Sequence, residues 1–339
     1  MNPRIVQDQR DPDLFGLLYG FRFRPGERGE QIDSAAAVRW LTQPGEGEDF
    51  LWVHLNLANA ACERWMKAHL DLPESFFETL REGSRSTRIE HVDAALLAVV
   101  NDVVFNFGLV SSDIATLWVC ARGRLLVTAR MQPLRSVDRL RSSVKHGERF
   151  RSPLELLVHL LRDQGDILTQ IVRETSMSVD GIEDRLLSQN LSDNRADLGA
   201  MRRVLVRLQR LLALEPGSLL RLLNRPPDWL QEEDVRDLRE ATEEFSLVIN
   251  DLTALGERIK LLQEEIAAVL NEQSNRTLFT LTVVTVLALP INIVAGFFGM
   301  NVGGIPLAGD PHGFWVLVAL VASFTLLAWR WAFRKRNDA

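Results

Sequence analysis

The sequence predicts an α+β membrane protein, in which a cytoplasmic α/β domain is followed by long stalk helices and by two C-terminal transmembrane helices. Three observations predict this fold class. Short apolar runs with strand character lie in the first part of the chain, helical periodicity dominates the middle, and two uncharged apolar runs occupy the last quarter. The composition agrees, because 25% charged and 46% hydrophobic residues fit a water-soluble body on a small membrane base.

Residues 1–151 are predicted to form the α/β domain. Runs of large apolar side chains predict its strands, and the Arg122-Gly123 pair between two such runs predicts a hairpin turn. Between the first two strands, apolar residues recur at helical spacing. The predicted strands are 51–57, 94–107, 114–120 and 125–129, and the predicted helices are 62–70 and 73–80.

Residues 152–230 are predicted to form a cytoplasmic helical region. Ser152 followed by Pro153 is typical of a helix N-terminus, because serine caps the free N–H groups and proline suits the first helical position. One helix is predicted to run from there to about Gln189. A second is predicted from about Asp193 to Leu223, where the prolines at 226 and 227 end it.

Residues 231–300 are predicted to form one continuous helix that passes from the stalk into the first membrane span. Apolar residues recur every three or four positions along it, which is the seam of a helix packed lengthwise on partners. Gly256 alone costs only about 1 kcal/mol relative to alanine, so it should not break the helix. The seam comprises Leu238, Thr242, Phe245, Ile249, Leu252, Leu255, Ile259, Leu262, Ile266 and Val269.

The two apolar runs predict a membrane hairpin. Residues 277–300 contain 24 residues without a charge or histidine, which as a helix span about 36 Å and can cross a bilayer. A second span is predicted at 313–331, after an external loop at 301–312 that has no Lys or Arg. The tail at 332–339 is basic, so the positive-inside rule predicts that both termini are cytoplasmic.

Composition and motifs exclude several classes of function. The net charge of −6 argues against a nucleic-acid partner. Cys62 and Cys120 have no CxxC spacing, so neither a disulfide framework nor a tight zinc site is predicted. The chain has no P-loop, GxGxxG or GxSxG motif, so we expect neither an enzyme, an ATP-driven pump nor a permanently bound cofactor.

A second stripe on the long helix carries polar residues into the apolar run. Amides and hydroxyls cannot face lipid cheaply, so the stripe must face water or protein. Since two spans cannot enclose an aqueous path, we expect an oligomer with the first spans around an axis. Alternatively, threonines bond to their own helix and asparagines join helices. The stripe comprises Asn250, Ala254, Glu257, Leu261, Glu264, Ala268, Asn271, Asn275, Leu278, Thr282, Thr285, Leu289, Asn292 and Gly296.

The last quarter of the chain resembles the CorA superfamily of divalent-cation transporters. The resemblance depends on Pro290, on the segment 292–296 and on the sequence Phe298-Gly299-Met300-Asn301 ahead of a second span with a basic tail. The loop 301–306 is similar to that of the ZntB-like branch, which moves zinc. It departs from the magnesium-transporting branch, which usually has an acidic residue in this loop.

The resemblance implies a funnel-shaped homopentamer in the inner membrane that takes up divalent cations. Zinc is the first expectation, and magnesium, cobalt, nickel and cadmium are alternatives. Gly299, Met300 and Asn301 would form the external mouth, where amide and carbonyl oxygens meet a cation that keeps much of its water. The pore would be lined by Asn271, Asn275, Leu278, Thr282, Thr285, Leu289, Asn292 and Gly296. The expected partners are further copies of the chain, the lipid bilayer and the cations.

Other acidic residues are weaker candidates. Glu257 and Glu264 could attract cations on the cytoplasmic side, or they could belong to a solvated helix face. Glu240 is the candidate for metal sensing between cytoplasmic domains. Asp310 and His312 could capture a metal outside the membrane or take part in proton-coupled transport, but an ordinary loop pair is the favoured interpretation. In a different class of function, the chain would be a membrane-anchored sensor or scaffold.

Overall fold

The computed structural model describes residues 15–42, 47–83, 87–104, 114–187, 194–300, 303–304, 306 and 310–337. The chain divides into two compact units, Met1–Gln263 and Glu264–Ala339. The first unit contains a sheet with helices on both faces, and the second contains the C-terminal part of one long helix and a further helix. The mixed α/β domain predicted from the sequence is present.

Seven strands form one sheet within the described part of the first unit. They are β1 Leu17–Phe23, β2 Glu30–Ile32, β3 Phe50–Asn56, β4 Arg88–Val92, β5 Ala95–Val103, β6 Ile114–Arg122 and β7 Leu125–Arg130. Their order is β2-β1-β3-β7-β6-β5-β4. Only β3 and β7 pair in parallel, and the other neighbours are antiparallel. The predicted hairpin is β6–β7, with its turn at Gly123 in the left-handed region.

Both faces of the sheet are buried, which explains why its central strands are almost continuously apolar. Along β3, Phe50 and Trp52 belong to one core, whereas Leu51, Val53 and Leu55 belong to the other. Successive side chains of a strand point to opposite faces, so one strand supplies both cores.

Helices cover the two faces. The core of Leu51 and Val53 contains residues of α1 Ser34–Thr42, α2 Cys62–His69 and α3 Glu74–Glu82. The core of Trp52 contains residues of α4 Arg135–His146, α5 Pro153–Leu187, α7 Pro216–Asn224 and α8 Glu232–Phe298. The remaining helices are α6 Asn194–Leu212 and α9 Gly313–Asn337. Cys62 and Cys120 are buried free thiols, and burial raises the pKa of Cys62 to about 11 and that of Cys120 to about 12.

The predicted helix start at Ser152 is confirmed, and the predicted single helix 193–223 is wrong. Ser152 Oγ accepts a hydrogen bond from the backbone N–H of Glu155 at 3.1 Å, as an N-cap does. The second helix is instead divided into α6 and α7. Pro216 cannot donate a backbone hydrogen bond and disfavours a helical residue before it. At the break, the N–H of Glu215 bonds to the carbonyl of Thr87 at 2.9 Å.

Helix α8 is continuous over 67 residues, as predicted, and it continues past Pro290. Its predicted seam is buried in the first unit, where Leu238, Phe245, Leu252, Ile259 and Leu262 are each at most 4% exposed. Burial of this seam holds the first part of the helix in place, because an apolar stripe at helical spacing stabilises a helix only when it is packed.

Candidate ion pathway on helix α8

The apolar part of α8 lies in the second unit. Among the described residues, α8 is the helix that is long and apolar enough to cross a membrane, and Gly313–Leu327 of α9 is a shorter apolar helix. Large side chains of α8 are exposed in the single chain, including Leu281 at 62% and Val284 at 57%. So large an exposed apolar surface requires a cover of lipid or further protein.

In the first unit, α8 has a buried face and an exposed polar face. Leu252, Leu255 and Ile259 are buried, whereas Asn250 and Glu257 of the polar stripe are exposed. The stripe therefore begins on the side of the helix that faces away from the rest of its own unit. Ala254 and Leu261, also on the stripe, are exposed as well.

In the second unit, the stripe residues are exposed together with most of the rest of the helix. Glu264, Asn271, Asn275, Leu278, Thr282, Thr285, Leu289, Asn292 and Gly296 are all exposed. Exposure alone thus does not distinguish the stripe from the other exposed residues of the helix there. The distinction is chemical, because the stripe carries amides and hydroxyls where the neighbouring faces carry valine, leucine and isoleucine.

The stripe threonines bond to their own helix. Thr282 Oγ1 donates to the carbonyl of Leu278 at 2.8 Å, and Thr285 Oγ1 donates to that of Leu281 at 2.9 Å. This is the local bond that the alternative interpretation anticipates. It uses the hydroxyl proton but leaves the oxygen able to accept, so each threonine can still receive a hydrogen bond from a hydrated cation.

The stripe asparagines need partners from outside the chain. Asn271, Asn275 and Asn292 form no hydrogen bond with another described residue, and all three are exposed. An amide without a partner in hydrocarbon costs several kcal/mol. Asn292, which lies in the apolar segment, must therefore meet water or a polar group of another chain.

The predicted mouth follows the end of α8. The N–H of Gly299 bonds to the carbonyl of Ala295 at 2.9 Å, so the helical bonding reaches this glycine. A Cβ atom on Gly299 would lie 3.1 Å from that same oxygen, which makes a larger residue tight here. Met300 is half exposed. Asn301 lies outside the described residues, so its role stays a prediction from the resemblance.

The predicted external pair forms a turn before α9. Asp310 Oδ1 accepts the backbone N–H of His312 at 2.8 Å and lies 3.5 Å from its Nδ1. The histidine is 84% exposed. The contact explains the turn by itself, so metal capture by this pair stays a prediction. Among the described residues, no group of three or more histidines, cysteines and carboxylates could hold a metal ion.

The two candidate acidic residues of α8 in the first unit have neighbours of opposite charge. Glu240 lies 3.4 Å from Arg162 and is 59% exposed, and Glu257 lies 3.5 Å from Lys260. Both are weak surface ion pairs, in which a metal cation could take the place of the basic side chain. At the start of α8, Arg151 bonds to Asp237 and pairs with Glu233 and Asp234 in a cluster that joins α8 to the segment just before α5. Sensing by Glu240 stays a hypothesis.

Comparisons with known proteins agree with this architecture. A family model described as CorA-like Mg2+ transporter protein matches residues 47–335. The divalent cation transporter CmaX of Pseudomonas aeruginosa is 27% identical over 334 residues, covering 97% of this chain and 99% of that protein. The zinc transport protein ZntB of Pectobacterium atrosepticum is 25% identical over 318 residues, covering 89% and 96%.

Solved structures show the same fold. The structure of full-length CmaX matches with a TM-score of 0.80 at 26% identity, over 94% of this chain and 98% of that one. The CorA magnesium transporter of Methanocaldococcus jannaschii matches with a TM-score of 0.71 at 19% identity, over 91% and 95%. The family model, the relatives and the fold together define a membrane transporter of divalent cations. The chain belongs to the CorA family.

Proposed function

We propose that the chain is a zinc importer of the inner membrane that works as a homopentamer. In this proposal the apolar parts of α8 and α9 both span the membrane, both termini are cytoplasmic, and five copies of α8 surround a central pore. The sequence of the loop after Gly299 and the ZntB relatives support zinc. The single observation that carries the pore is the polar stripe of α8, whose asparagines at 271, 275 and 292 are exposed and form no hydrogen bond with another described residue.

The residues of the stripe suit an ion that keeps its water. Neutral amide and carbonyl oxygens can hydrogen-bond to the hydration shell of a divalent cation without holding the metal tightly. Asn301 and the carbonyl of Gly299 would meet the hydrated ion first, and Asn292, Thr285 and Thr282 would receive it in turn. Leu289 and Leu278 would be apolar constrictions that close the path when they exclude water.

The membrane potential is a sufficient driving force for uptake. A divalent cation that enters a negative interior gains about 4–5 kcal/mol per 100 mV. The apolar runs 277–300 and 313–329 contain no carboxylate that could carry a proton. Coupling to a proton gradient would therefore use groups outside the spans, such as Asp310 and His312.

Zinc uptake into proteoliposomes tests the proposal. We expect radiolabelled zinc to accumulate under a negative internal potential, and a pH gradient should increase the rate if transport is proton-coupled. Asn301→Ala should abolish uptake. Membrane insertion without flux of any divalent cation would instead indicate an anchored sensor or scaffold.

A magnesium or cobalt channel is the second candidate, because the family model and the CorA neighbour are both named as magnesium transporters. Uptake of each ion under the same potential separates the two. A preference for magnesium at equal concentration would overturn the zinc assignment but would leave the pore intact.

A further inference from the structure

One face of α6 carries four arginines beside a cavity of about 510 Å³. Their spacing of one, four and three residues places them on the same side of the helix. The opposite side is apolar and buried through Leu198, Leu205 and Leu208. Gln263 of α8 lies across the cavity. The arginine cavity, as we name it, is lined by Arg202, Arg203, Val206, Arg207, Arg210 and Gln263.

The four guanidinium groups have no carboxylate partner in the part of the chain that the structure describes, and no acidic residue lines the cavity. Elsewhere on the same helical bundle, arginines are paired. Arg258 contacts Glu183 and Asp180 at 2.5 and 2.6 Å, and Arg162 contacts Glu240. Four unpaired positive charges close together repel one another, and in a chain of net charge −6 they are an exception.

Arg207 shows where an acceptor is missing. Its Nε atom is buried and has no hydrogen-bond partner. A buried charged donor without an acceptor is costly, and a turn of the Arg207 side chain towards the cavity would let an anion there accept from it. Val206, which is 49% exposed, adds an apolar wall beside the charges. The cavity therefore combines several guanidinium forks, one of them unsatisfied, with a concave surface.

We propose that the arginine cavity binds a phosphate-bearing anion with at least two negative charges. Guanidinium forks donate paired hydrogen bonds to phosphate oxygens, which a monovalent anion such as chloride cannot match. A volume of about 510 Å³ falls in the usual range of small-molecule sites, about 300–1,000 Å³. The ligand is either a soluble phosphate ester or a lipid headgroup. This inference does not depend on which cation is transported.

Calorimetric titration of inorganic pyrophosphate into the full-length protein, at constant ionic strength and without divalent metal, tests the inference. The informative variant combines Arg203→Gln with Arg207→Gln. The control combines Arg64→Gln with Arg173→Gln, which removes the same charge from exposed positions on α2 and α5. We expect about tenfold weaker binding, or more, in the cavity variant and unchanged binding in the control. Gel-filtration and thermal unfolding profiles establish that both variants are folded.

The lysine variant adds a second readout. Arg203→Lys with Arg207→Lys keeps the charge but loses the fork, so it should bind more weakly than the wild type and more tightly than the glutamine variant. In nanodiscs, phosphatidic acid should compete with pyrophosphate if the ligand is a lipid headgroup. If the ligand is a soluble phosphate ester, phosphatidic acid should leave pyrophosphate binding unchanged. Equal binding by the cavity and control variants would overturn the inference. The inference would also be overturned if the wild type bound no pyrophosphate and the cavity variant lost its oligomeric state. The arginines would then contact a second copy of the chain.

Discussion

At the residue scale, Thr128 satisfies several polar groups in the middle of the sheet. Its Oγ1 accepts a hydrogen bond from Trp52 Nε1 at 2.8 Å and lies 2.7 Å from His54 Nδ1. Arg130 Nε donates to His54 Nε2 at 2.9 Å, which leaves the proton of the neutral ring on Nδ1. Burial, followed by the charges of Arg130 and Arg141, holds the pKa of His54 well below its usual value. His54 is therefore a packed histidine, and its surroundings do not suit a metal ligand.

Removal of this hydroxyl should destabilise the first unit. Thr128→Val leaves two buried donors without an acceptor, at about 1–3 kcal/mol each. The expected result is a clearly lower midpoint of thermal unfolding in detergent. Thr253→Val is the control, because that hydroxyl bonds only to its own helix at Ile249, and we expect a change within about 0.5 kcal/mol. Equal effects of the two variants would contradict the account of the network.

His159 should make a pH-dependent contribution to the stability of the folded first unit. Its ring nitrogens lie 3.1 Å from Asp163 and 3.2 Å from Glu148. The bond to Asp163, more than any other contact, raises the pKa of His159 above its usual value. The folded protein therefore binds the proton more tightly than the unfolded chain does. This stabilisation is fully present below the ordinary histidine pKa, and it is lost as pH rises through the raised value.

His159→Gln should accordingly lower the unfolding midpoint at pH 6 and have a smaller effect at pH 8.5. A loss of about 1 kcal/mol or less corresponds to a few degrees. His146→Gln is the control, since His146 bonds to the carbonyl of Ser142 rather than to a carboxylate. A larger effect at pH 8.5 than at pH 6 would contradict the assignment.

At the scale of elements, helical glycines test whether backbone entropy limits stability. Gly181 lies inside α5, and a Cβ atom there would meet nothing within 4 Å. Gly181→Ala should stabilise the fold by up to about 1 kcal/mol.

Gly29, between β1 and β2, provides the opposite case. A Cβ atom on Gly29 would lie 2.8 Å from Phe23 Cε1 and 2.9 Å from Val144 Cγ1. Gly29→Ala should therefore destabilise the first unit, and the opposite order of unfolding midpoints would contradict this packing argument.

The elements that the sequence predicted are those with strong local periodicity. The seam of α8 and the apolar run of β3 identify a helix and a buried strand without knowledge of their partners. In β1, Gly20 and Arg22 interrupt the alternation, and the strand depends on pairing with β3. The division between α6 and α7 has a local signal in Pro216 that the predicted single helix overlooked, whereas the bond from Glu215 to Thr87 at the break joins residues distant in sequence. Such long-range contacts override local preference, so local pattern could not reveal them.

Two threonines of α8, one on the stripe and one off it, provide a matched comparison. Thr280 and Thr285 donate to carbonyls of their own helix at the same distance, 2.9 Å. Thr280 lies roughly 140° around the helix axis from Thr285, on the other side of the helix. Thr285→Val should slow zinc uptake severalfold, because it removes an oxygen from the pore, whereas Thr280→Val should leave the rate unchanged. Equal rates for the two variants would argue against a pore on this face.

At the scale of the whole molecule, the unsatisfied groups of the chain define what the assembly must supply. The family, the α/β domain and the long helix could be predicted from the sequence. The position of the pore could be only partly predicted, because the stripe residues are exposed in the single chain and the partners that we propose for them, namely water, cations and further copies, lie outside it. The arginine cavity was not predicted, since α6 and Gln263 come together only in the fold.

The central claim is that the polar stripe of α8 lines an aqueous path, and cysteine accessibility tests it most directly. Cys62 and Cys120 are buried, so the wild type should give little background labelling. Single cysteine substitutions in liposomes are exposed to a charged, membrane-impermeant thiol reagent. The account predicts rapid labelling of Thr282→Cys, Thr285→Cys and Asn292→Cys, slowed by zinc, and little labelling of Thr280→Cys, Val284→Cys and Ile291→Cys. Equal labelling of the two sets would contradict it. So would labelling of the second set while the stripe cysteines stay unlabelled in the absence of zinc.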